Sequence, residues 1–209
     1  RFERGRLAVR RCRFFDNEMG ILTASDPSMQ LDVVDCDFGA APQHEGMLHH
    51  LLYVGTIGDF SIRGSRFGAG WRGHLLKSRA RRNRVIDNRL DDRPSGSASY
   101  ELEFPNGGDN VVVGNLIAQS ALTQNPDLLS MGAEARDGMT GSLVLENNVF
   151  INTASPNARF VHVWNDRLAG EVPVRMVNNQ FVGPGQLHLP PAWDGGGNRR
   201  LDADLLVTP

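Results

Sequence analysis

The residues with the clearest chemical potential are a lysine and an arginine two positions apart, in the segment GHLLKSRA. Side chains two residues apart on a β-strand point to the same face, so Lys77 and Arg79 are expected to share one surface. Two cations on one surface can neutralise a carboxylate, and a lysine, histidine or arginine beside them can remove a proton from carbon. The pair therefore predicts binding of, or chemistry on, an acidic ligand.

Similar segments before and after GHLLKSRA bring further polar side chains beside this pair. Aligned on a shared apolar position, HHLLYVG places Tyr53 on one side of Lys77, and YELEFP places Glu103 on the other. Because neighbouring strands lie about 4.8 Å apart, such side chains are expected to form an outward-facing row on one sheet. This polar row consists of Tyr53, Lys77, Glu103, Ser130 and His162.

A second column lies three positions before the polar row, where each strand begins. It contains His50, His74 and Tyr100. The two histidines have the parity of the inward face, so they are expected either to act from the edge of the row or to form buried hydrogen bonds at a corner. The candidate catalytic residues are His50, Tyr53, His74, Lys77, Arg79 and Glu103. The candidate substrate-binding residues are Tyr100, Glu101, His162, Trp71 and Trp164, the two tryptophans being able to stack on a sugar ring or to cover a loop.

This set contains the residue types that β-elimination from a uronate requires. Arg79 would neutralise the substrate carboxylate and acidify the adjacent C–H group, and Lys77 or His74 would remove the proton. Tyr53 would protonate the leaving oxygen. A row of tyrosine, lysine and glutamate is equally typical of a solvated sheet, in which opposite charges on neighbouring strands stabilise modestly, so a purely structural role stays open.

The spacing of carboxylates bears on two further kinds of site, a glycosidase pair and a calcium site. Glu101 and Glu103 are two residues apart and are expected on one face at roughly 6.5–7 Å, a separation compatible with an inverting glycosidase. Calcium is a candidate because aspartates cluster near the bends, but their spacing is loose and favours solvated turns, so no cofactor and no metal ligand is predicted. The aspartates concerned are Asp35, Asp37, Asp87, Asp91 and Asp92.

The elements that must position these residues come from a repeat that occurs seven times along the chain. Its first position is apolar each time: Val9, Val33, Ile62, Val85, Val112, Leu145 and Met176. Its fourth position is Cys12, Cys36, Ser65, Asn88, Asn115, Asn148 and Asn179. Its last position is Phe14, Phe38, Phe67, Leu90, Ile117, Phe150 and Phe181. Such a period is that of a solenoid coil.

The repeat is built from strands. Apolar residues alternate with polar ones, and the spacing varies between 23 residues (Ser65 to Asn88) and 33 residues (Asn115 to Asn148), which helical arrays with a fixed repeat do not tolerate. Small polar residues stacked at a bend can hydrogen-bond along the axis, so the four asparagines predict a ladder. The pattern predicts an all-β fold of stacked coils, each with at least two strands.

With its segments HLLYVG, GHLLKSRA and YELEFPNGG, the chain resembles the pectate-lyase-like superfamily, in particular bacterial proteins with a generic β-helix repeat. The resemblance runs from about Leu7 to Phe181. It implies a single-stranded right-handed parallel β-helix of about seven coils, with a site on the outer groove of a sheet. It also implies a secreted or periplasmic carbohydrate-active protein, with an acidic polysaccharide as partner and a lyase-like activity. The alternatives are a non-catalytic glycan-binding or structural surface module and, second, a glycoside hydrolase; an epimerase is less favoured because no DPHD signature is present.

Composition narrows the remaining function classes. The chain has 209 residues, 40% of them hydrophobic, and a net charge of -2, which does not favour a general nucleic-acid binder. No apolar run is long enough for a membrane span, and no signal peptide is recognisable. We expect one domain over residues 1–209, with residues 1–6 continuing from upstream coils. Residues 183–209 are expected to form an irregular closing segment that includes a short strand, Leu205 to Val207.

Overall fold

The computed structural model describes residues 1–44, 46, 48–153 and 155–203. Within these residues, twenty-three β-strands form three parallel sheets of eight, eight and seven strands, and every third strand along the chain joins the same sheet. Each turn of the chain therefore contributes one strand to each sheet, as expected of a parallel β-solenoid of about seven coils. The predicted fold class is confirmed, whereas the right-handed winding stays a prediction, favoured by the usual hand of parallel crossover connections.

Strand numbers follow the chain, whereas the order of the strands within each sheet is spatial. The first sheet contains β1 (Arg6–Arg10), β4 (Gln30–Val34), β7 (Asp59–Arg63), β10 (Arg82–Ile86), β13 (Gly108–Val113), β16 (Gly141–Glu146), β19 (Val174–Val177) and β22 (Asp194–Gly196). The second sheet contains β2 (Arg13–Phe15), β5 (Asp37–Gly39), β8 (Arg66–Gly68), β11 (Arg89–Asp91), β14 (Leu116–Gln119), β17 (Val149–Asn152), β20 (Gln180–Val182) and β23 (Arg199–Leu201). The third sheet contains β21 (Gln186–His188), β18 (Arg159–Val163), β15 (Asp127–Met131), β12 (Leu102–Phe104), β9 (Leu76–Ser78), β6 (Leu52–Val54) and β3 (Ile21–Leu22).

The columns of the sequence repeat are columns of the structure. Its first position, from Val9 to Met176, pairs residue by residue across the first sheet. Its last position, from Phe14 to Phe181, pairs in the same way across the second sheet. Like side chains therefore stack inside the coil, as in the rings of Phe38 and Phe67, whose centroids are 4.6 Å apart. This stacking builds one continuous apolar core between the three sheets.

The bend between the first and second sheets is held by an asparagine ladder, made of Asn88, Asn115, Asn148, Asn179 and Asn198. In each step, one side-chain oxygen accepts two hydrogen bonds from the asparagine of the previous coil. The Oδ1 atom of Asn148 accepts from the main-chain N–H of Asn115 at 2.9 Å and from its Nδ2 at 3.0 Å. The Nδ2 atom of Asn148 in turn donates to the carbonyl of Val112 at 2.8 Å. The predicted ladder is confirmed, and it satisfies main-chain groups that the tight bend would leave unpaired.

The C-terminal region differs from the expected irregular closing segment. Three strands, β21 to β23, lie within residues 183–209 and add a further layer to all three sheets. The ladder continues there, because Asn198 Oδ1 accepts from the main-chain N–H and the Nδ2 of Asn179, each at 2.9 Å. The segment DGGGN fills the strand and bend with glycines instead of apolar residues, so the hydrophobic pattern did not reveal it. The short strand expected at Leu205 to Val207 lies outside the described residues.

Within the residues that the structure describes, no helix is long and apolar enough to cross a lipid bilayer.

Replacing one rung of the ladder should destabilise the coil strongly. In Asn148→Ala, the main-chain N–H of Asn115 and the carbonyl of Val112 lose their buried partners, so we expect the free energy of unfolding to fall by about 2–4 kcal/mol. Asn148→Ser should lose roughly half as much, because the Oγ of Ser65 already accepts a main-chain hydrogen bond at the same position, from Cys36 at 3.1 Å. Urea denaturation checks both values, and equal stability of the alanine variant and the wild type would contradict the ladder's role.

Candidate functional site

The polar row follows the third sheet in the predicted register. Tyr53 pairs with Lys77, Lys77 with Glu103, Glu103 with Ser130, and Ser130 with His162. The row is not the solvated surface expected from the alternation, because only 7% of Lys77, 2% of Glu103 and none of Ser130 is exposed. Side chains from the preceding column and from the turns after the strands cover it. The charged groups of Lys77 and Glu103 are therefore buried and need partners within the protein.

Lys77 and Arg79 converge on one carboxylate that sequence reasoning did not find. The Nζ atom of Lys77 lies 2.6 Å from Oε1 of Glu134, and an N–H of Arg79 donates to Oε2 of the same residue. On its other side, Lys77 Nζ lies 3.1 Å from Glu103 Oε2. The predicted shared face of the two cations is confirmed, and the pair holds a carboxylate of this chain.

Arg79 is oriented by two further contacts. Its Nε–H donates to the hydroxyl of Tyr53 at 2.9 Å, and another N–H donates to Oδ1 of Asn106 at 2.5 Å. The guanidinium therefore spans the first residue of the polar row, the turn after β12 and the carboxylate of Glu134. A planar group held by three different partners has little freedom to rotate, so Arg79 presents its charge in a fixed direction.

Glu134 lies in the turn that follows β15. The chain leaves that strand through Gly132, whose φ of +88° suits a residue without a Cβ atom, and the N–H of Glu134 donates to the carbonyl of Pro105 at 2.9 Å. Partial burial disfavours the ionised carboxylate, but the hydrogen bonds from Lys77 and Arg79 outweigh it and lower the pKa of Glu134 to about 2. Glu134 could not be predicted from the repeat, because it lies in a turn and belongs to no column of strand residues.

Two histidines form a chain beside the polar row. The Nδ1 atom of His50 accepts the main-chain N–H of His74 at 2.9 Å and lies 2.8 Å from the Nδ1 of His74. On the far side of the ring, His74 Nε2 lies 3.0 Å from Glu103 Oε2. Burial, followed by the charges of His74 and Lys77, lowers the pKa of His50 to about 3. His50 is thus a neutral acceptor at neutral pH.

The pKa values of His74 and Glu103 also shift. Burial lowers the pKa of His74, although Glu103 opposes the shift. Burial of Glu103 would raise its pKa, but His74 and Lys77 lower it overall. Glu103 is thus an anion at neutral pH, held between an imidazole and an ammonium group.

The expected inward parity of the histidines is wrong, although both are buried. The ring of His50 lies edge-on to Tyr53, an outer residue of β6, at 5.3 Å between centroids. The ring of His74 stacks on Tyr100, in the turn before β12, at 4.9 Å. The alternation fails because His50 and His74 precede the first strand residues, Leu52 and Leu76, and lie in the preceding turn.

Glu101 does not face the same surface as Glu103, so the expected glycosidase pair is absent at this position. It precedes β12 by one residue, at the level of Leu75 and Leu128, and is fully buried. Neither of its carboxylate oxygens has a hydrogen-bond partner within the described part of the chain. Burial, followed by the charge of Asp92, raises the pKa of Glu101 well above its ordinary value. Burial likewise raises the pKa of Asp92 to about 6.

A second cluster lies at the other end of the polar row. His162 Nδ1 lies 2.9 Å from Asp127 Oδ2, and the other oxygen of Asp127 accepts from Arg159. The Nε1–H of Trp164 donates to the Oγ of Ser130 at 3.2 Å. The Trp164 ring is already packed, because His162 lies 4.0 Å and the Arg167 guanidinium 4.2 Å from its centroid. Trp164 is thus part of the cluster and is not an open platform for a sugar.

The other predicted positions lie apart from these clusters. Trp71 lies between β8 and β9, forms a bridge with Ser97 and packs against the core. Asp35 and Asp87 occupy the bend before the ladder with positive φ angles of 54° and 53°. Asp37 pairs with Arg13 and Arg66, Asp91 pairs with Arg89 and Arg93, and Asp92 accepts two main-chain hydrogen bonds. Over the ranges that the structure describes, no group of three or more His, Cys, Asp or Glu side chains is arranged to hold a metal ion.

Comparison with known proteins adds no relative. No family model, curated protein or solved structure matches the chain at a significant level. The function must therefore be inferred from the fold and from the geometry of the polar row.

The buried carboxyl group of Glu101 should make stability depend on pH. Because its pKa is raised in the folded state, the folded chain binds more protons than the unfolded chain, and stability is lost as pH rises above the ordinary value of 4.5. Glu101→Leu matches the neighbouring leucines and should raise the free energy of unfolding at pH 8 by about 1–4 kcal/mol, and by less at pH 4. Urea denaturation at both pH values tests this, with Glu171→Leu at an exposed position as the control. A pH-independent difference between Glu101→Leu and the wild type would contradict the assignment.

Proposed function

We propose that the protein binds an acidic polysaccharide on the third sheet and cleaves it by β-elimination. The observation that carries the proposal is the convergence of Lys77 and Arg79 on one carboxylate beside the hydroxyl of Tyr53. β-Elimination from a uronate needs this combination, since the carboxylate must be neutralised next to a group that transfers protons.

The cations are assigned to the substrate carboxylate. Lys77 and Arg79 each bind a different oxygen of the Glu134 carboxylate, so a uronate carboxylate in the same place would be held from both sides. This contact withdraws electrons from the carboxylate and stabilises the enolate that forms when the neighbouring C–H proton leaves. An open cavity of ≈ 240 Å³ lies directly against Arg79 and Asn106 and offers room beside the clamp.

Proton transfer is assigned to Tyr53. Its hydroxyl accepts from Arg79 at 2.9 Å, so a phenolate formed there would be stabilised by the guanidinium, and its side chain is partly exposed. Each cycle starts with Tyr53 as the phenolate. Its oxygen takes the proton next to the carboxylate, and the C–O bond to the leaving sugar breaks as a carbon–carbon double bond forms. The same proton then passes from Tyr53 to the leaving oxygen, which restores the phenolate. His74 is less suited to direct contact, because it is covered by Tyr100 and faces Glu103.

A non-catalytic glycan-binding or structural module is the second candidate, and the charge balance favours it. Two cations, Lys77 and Arg79, face two carboxylates, Glu103 and Glu134, and such a balanced network also stabilises a fold without any ligand. A glycoside hydrolase is disfavoured. The pKa values of Glu103 and Glu134 are lowered, and Glu101 lies in the core, so none of these three is an accessible carboxylic acid ready to protonate a leaving group.

The test is the ultraviolet absorbance of unsaturated uronate ends during incubation with pectate, alginate or glycosaminoglycans, with and without calcium. Tyr53→Phe removes only the hydroxyl and should lower the rate at least about 100-fold, and Arg79→Ala should do so as well. Arg82→Ala is the matched control, because Arg82 pairs with Asp59 on the first sheet and should leave the rate unchanged.

The outcomes separate the two candidate functions. Full activity of a folded Tyr53→Phe variant would refute the assigned proton transfer. A flat absorbance trace accompanied by stabilisation of the protein against heat by acidic glycans would favour the binding module.

A further inference from the structure

We propose that the carboxylate of Glu134 occupies the subsite for the ligand's own carboxylate, and that an acidic sugar binds by displacing it. The inference rests on the proposed function, because it uses the same two cations. Glu134 then competes with the ligand for Lys77 and Arg79. The ligand must therefore carry a carboxylate of its own to replace that of Glu134.

The clamp keeps its shape without Glu134. Arg79 is oriented by Tyr53 through its Nε–H and by Asn106 through a terminal N–H, and neither contact involves Glu134. Lys77 is held by Glu103, whose Oε2 atom lies 3.1 Å from the Nζ atom of Lys77. One guanidinium N–H and one face of the ammonium therefore stay directed at the same point when the glutamate moves away. A preorganised pair of donors for two carboxylate oxygens is what a uronate needs.

Glu134 is the outermost member of the network. Its side chain is 45% exposed, compared with 19% for Arg79, 8% for Lys77 and 2% for Glu103. It is carried by a turn, and the hydrogen bonds of its carboxylate within the described residues are those to Lys77 and Arg79. Lys77 and Glu103 lie on strands and contact each other, and Arg79 is held by Tyr53 and Asn106. Glu134 can move out into solvent without breaking a strand.

The charges decide which ligand can replace it. With Glu134 withdrawn, Lys77 and Arg79 carry two positive charges against the single negative charge of Glu103, so the buried clamp has an excess of one positive charge. A carboxylate restores the balance. A neutral sugar leaves the ammonium of Lys77 without its second partner, and an uncompensated buried charge is strongly unfavourable. Displacement therefore selects acidic sugars over neutral ones.

Competition from Glu134 also lowers the affinity for that ligand. A binding site that its own side chain occupies most of the time shows an apparent affinity reduced by the fraction of time that it is free. Removing the charge of Glu134 without changing its shape should therefore tighten the binding of an acidic sugar.

The experiment titrates trigalacturonate into the wild type and Glu134→Gln by isothermal calorimetry, with the neutral trisaccharide cellotriose as a second probe. Asp137→Asn is the matched control, because it removes the same charge from an exposed position in the same turn. We expect Glu134→Gln to bind trigalacturonate at least about tenfold more tightly than the wild type, Asp137→Asn to bind like the wild type, and cellotriose to show no gain. Glu134→Ala repeats the test if the glutamine variant melts at a lower temperature.

Unchanged or weaker binding of trigalacturonate by Glu134→Gln would overturn the inference, as would an equal gain in Asp137→Asn. The absorbance assay on the same samples separates this failure from failure of the proposed function. Tighter binding without any unsaturated product would keep the subsite and refute β-elimination. Product formation by the wild type with no gain in affinity for Glu134→Gln would refute the subsite and keep β-elimination.

Discussion

The asparagine ladder is the interaction on which the rest of the structure depends. A coil of three short strands has no long helix to fix its geometry, and each bend between the first and second sheets would leave main-chain groups unpaired. From Asn88 onward the ladder satisfies these groups with one side-chain oxygen per coil, as Asn148 does for Asn115, and Cys36 and Ser65 accept main-chain hydrogen bonds at the same position in the earlier coils. Since each rung is bound to the next, successive coils cannot slip by one residue, and a slip of one residue would turn every core side chain outward.

Because the register is fixed, the polar side chains of successive coils lie side by side on the third sheet, and two of them, Lys77 and Glu103, are buried charges. Tyr53, Lys77 and Glu103 lie on adjacent strands about 4.8 Å apart. The charged groups of Lys77 and Glu103 meet directly, and the hydroxyl of Tyr53 contacts Arg79. Charges at this depth are stable only as pairs with good geometry, and Lys77 and Glu103 on neighbouring strands form such a pair. Glu134 completes the set from a turn. The network is therefore specific in shape, and its polar groups are concentrated where a ligand could exchange with one of them.

The success and failure of prediction from sequence follow from the same geometry. Columns within strands can be predicted because their period is two and their neighbours repeat, which is why the register of Tyr53, Lys77 and Glu103 follows from the sequence. Residues just before a strand obey no alternation, so Glu101 was placed on the wrong face. The partner of the cations, Glu134, lies in a turn whose length changes from coil to coil, and only its three-dimensional position reveals it. The last coil could not be predicted, because glycines replace the apolar residues of the repeat there.

The four acidic residues near the third sheet show how position, and not residue type, decides their chemistry. Glu101 is fully buried between leucines, and burial raises its pKa well above the ordinary value, so it is held as a neutral acid in the core. Glu103 is almost as deeply buried, yet His74 and Lys77 lower its pKa and keep it ionised. Asp127 pairs with Arg159 and His162. Glu134 alone combines an ionised carboxylate, two cations and an exposed side chain. An incoming anion must compete for partners that an ionised group already holds, and it must reach them from solvent. Of these four residues, only Glu134 meets both conditions, which is why it is the carboxylate proposed to exchange with that of a ligand.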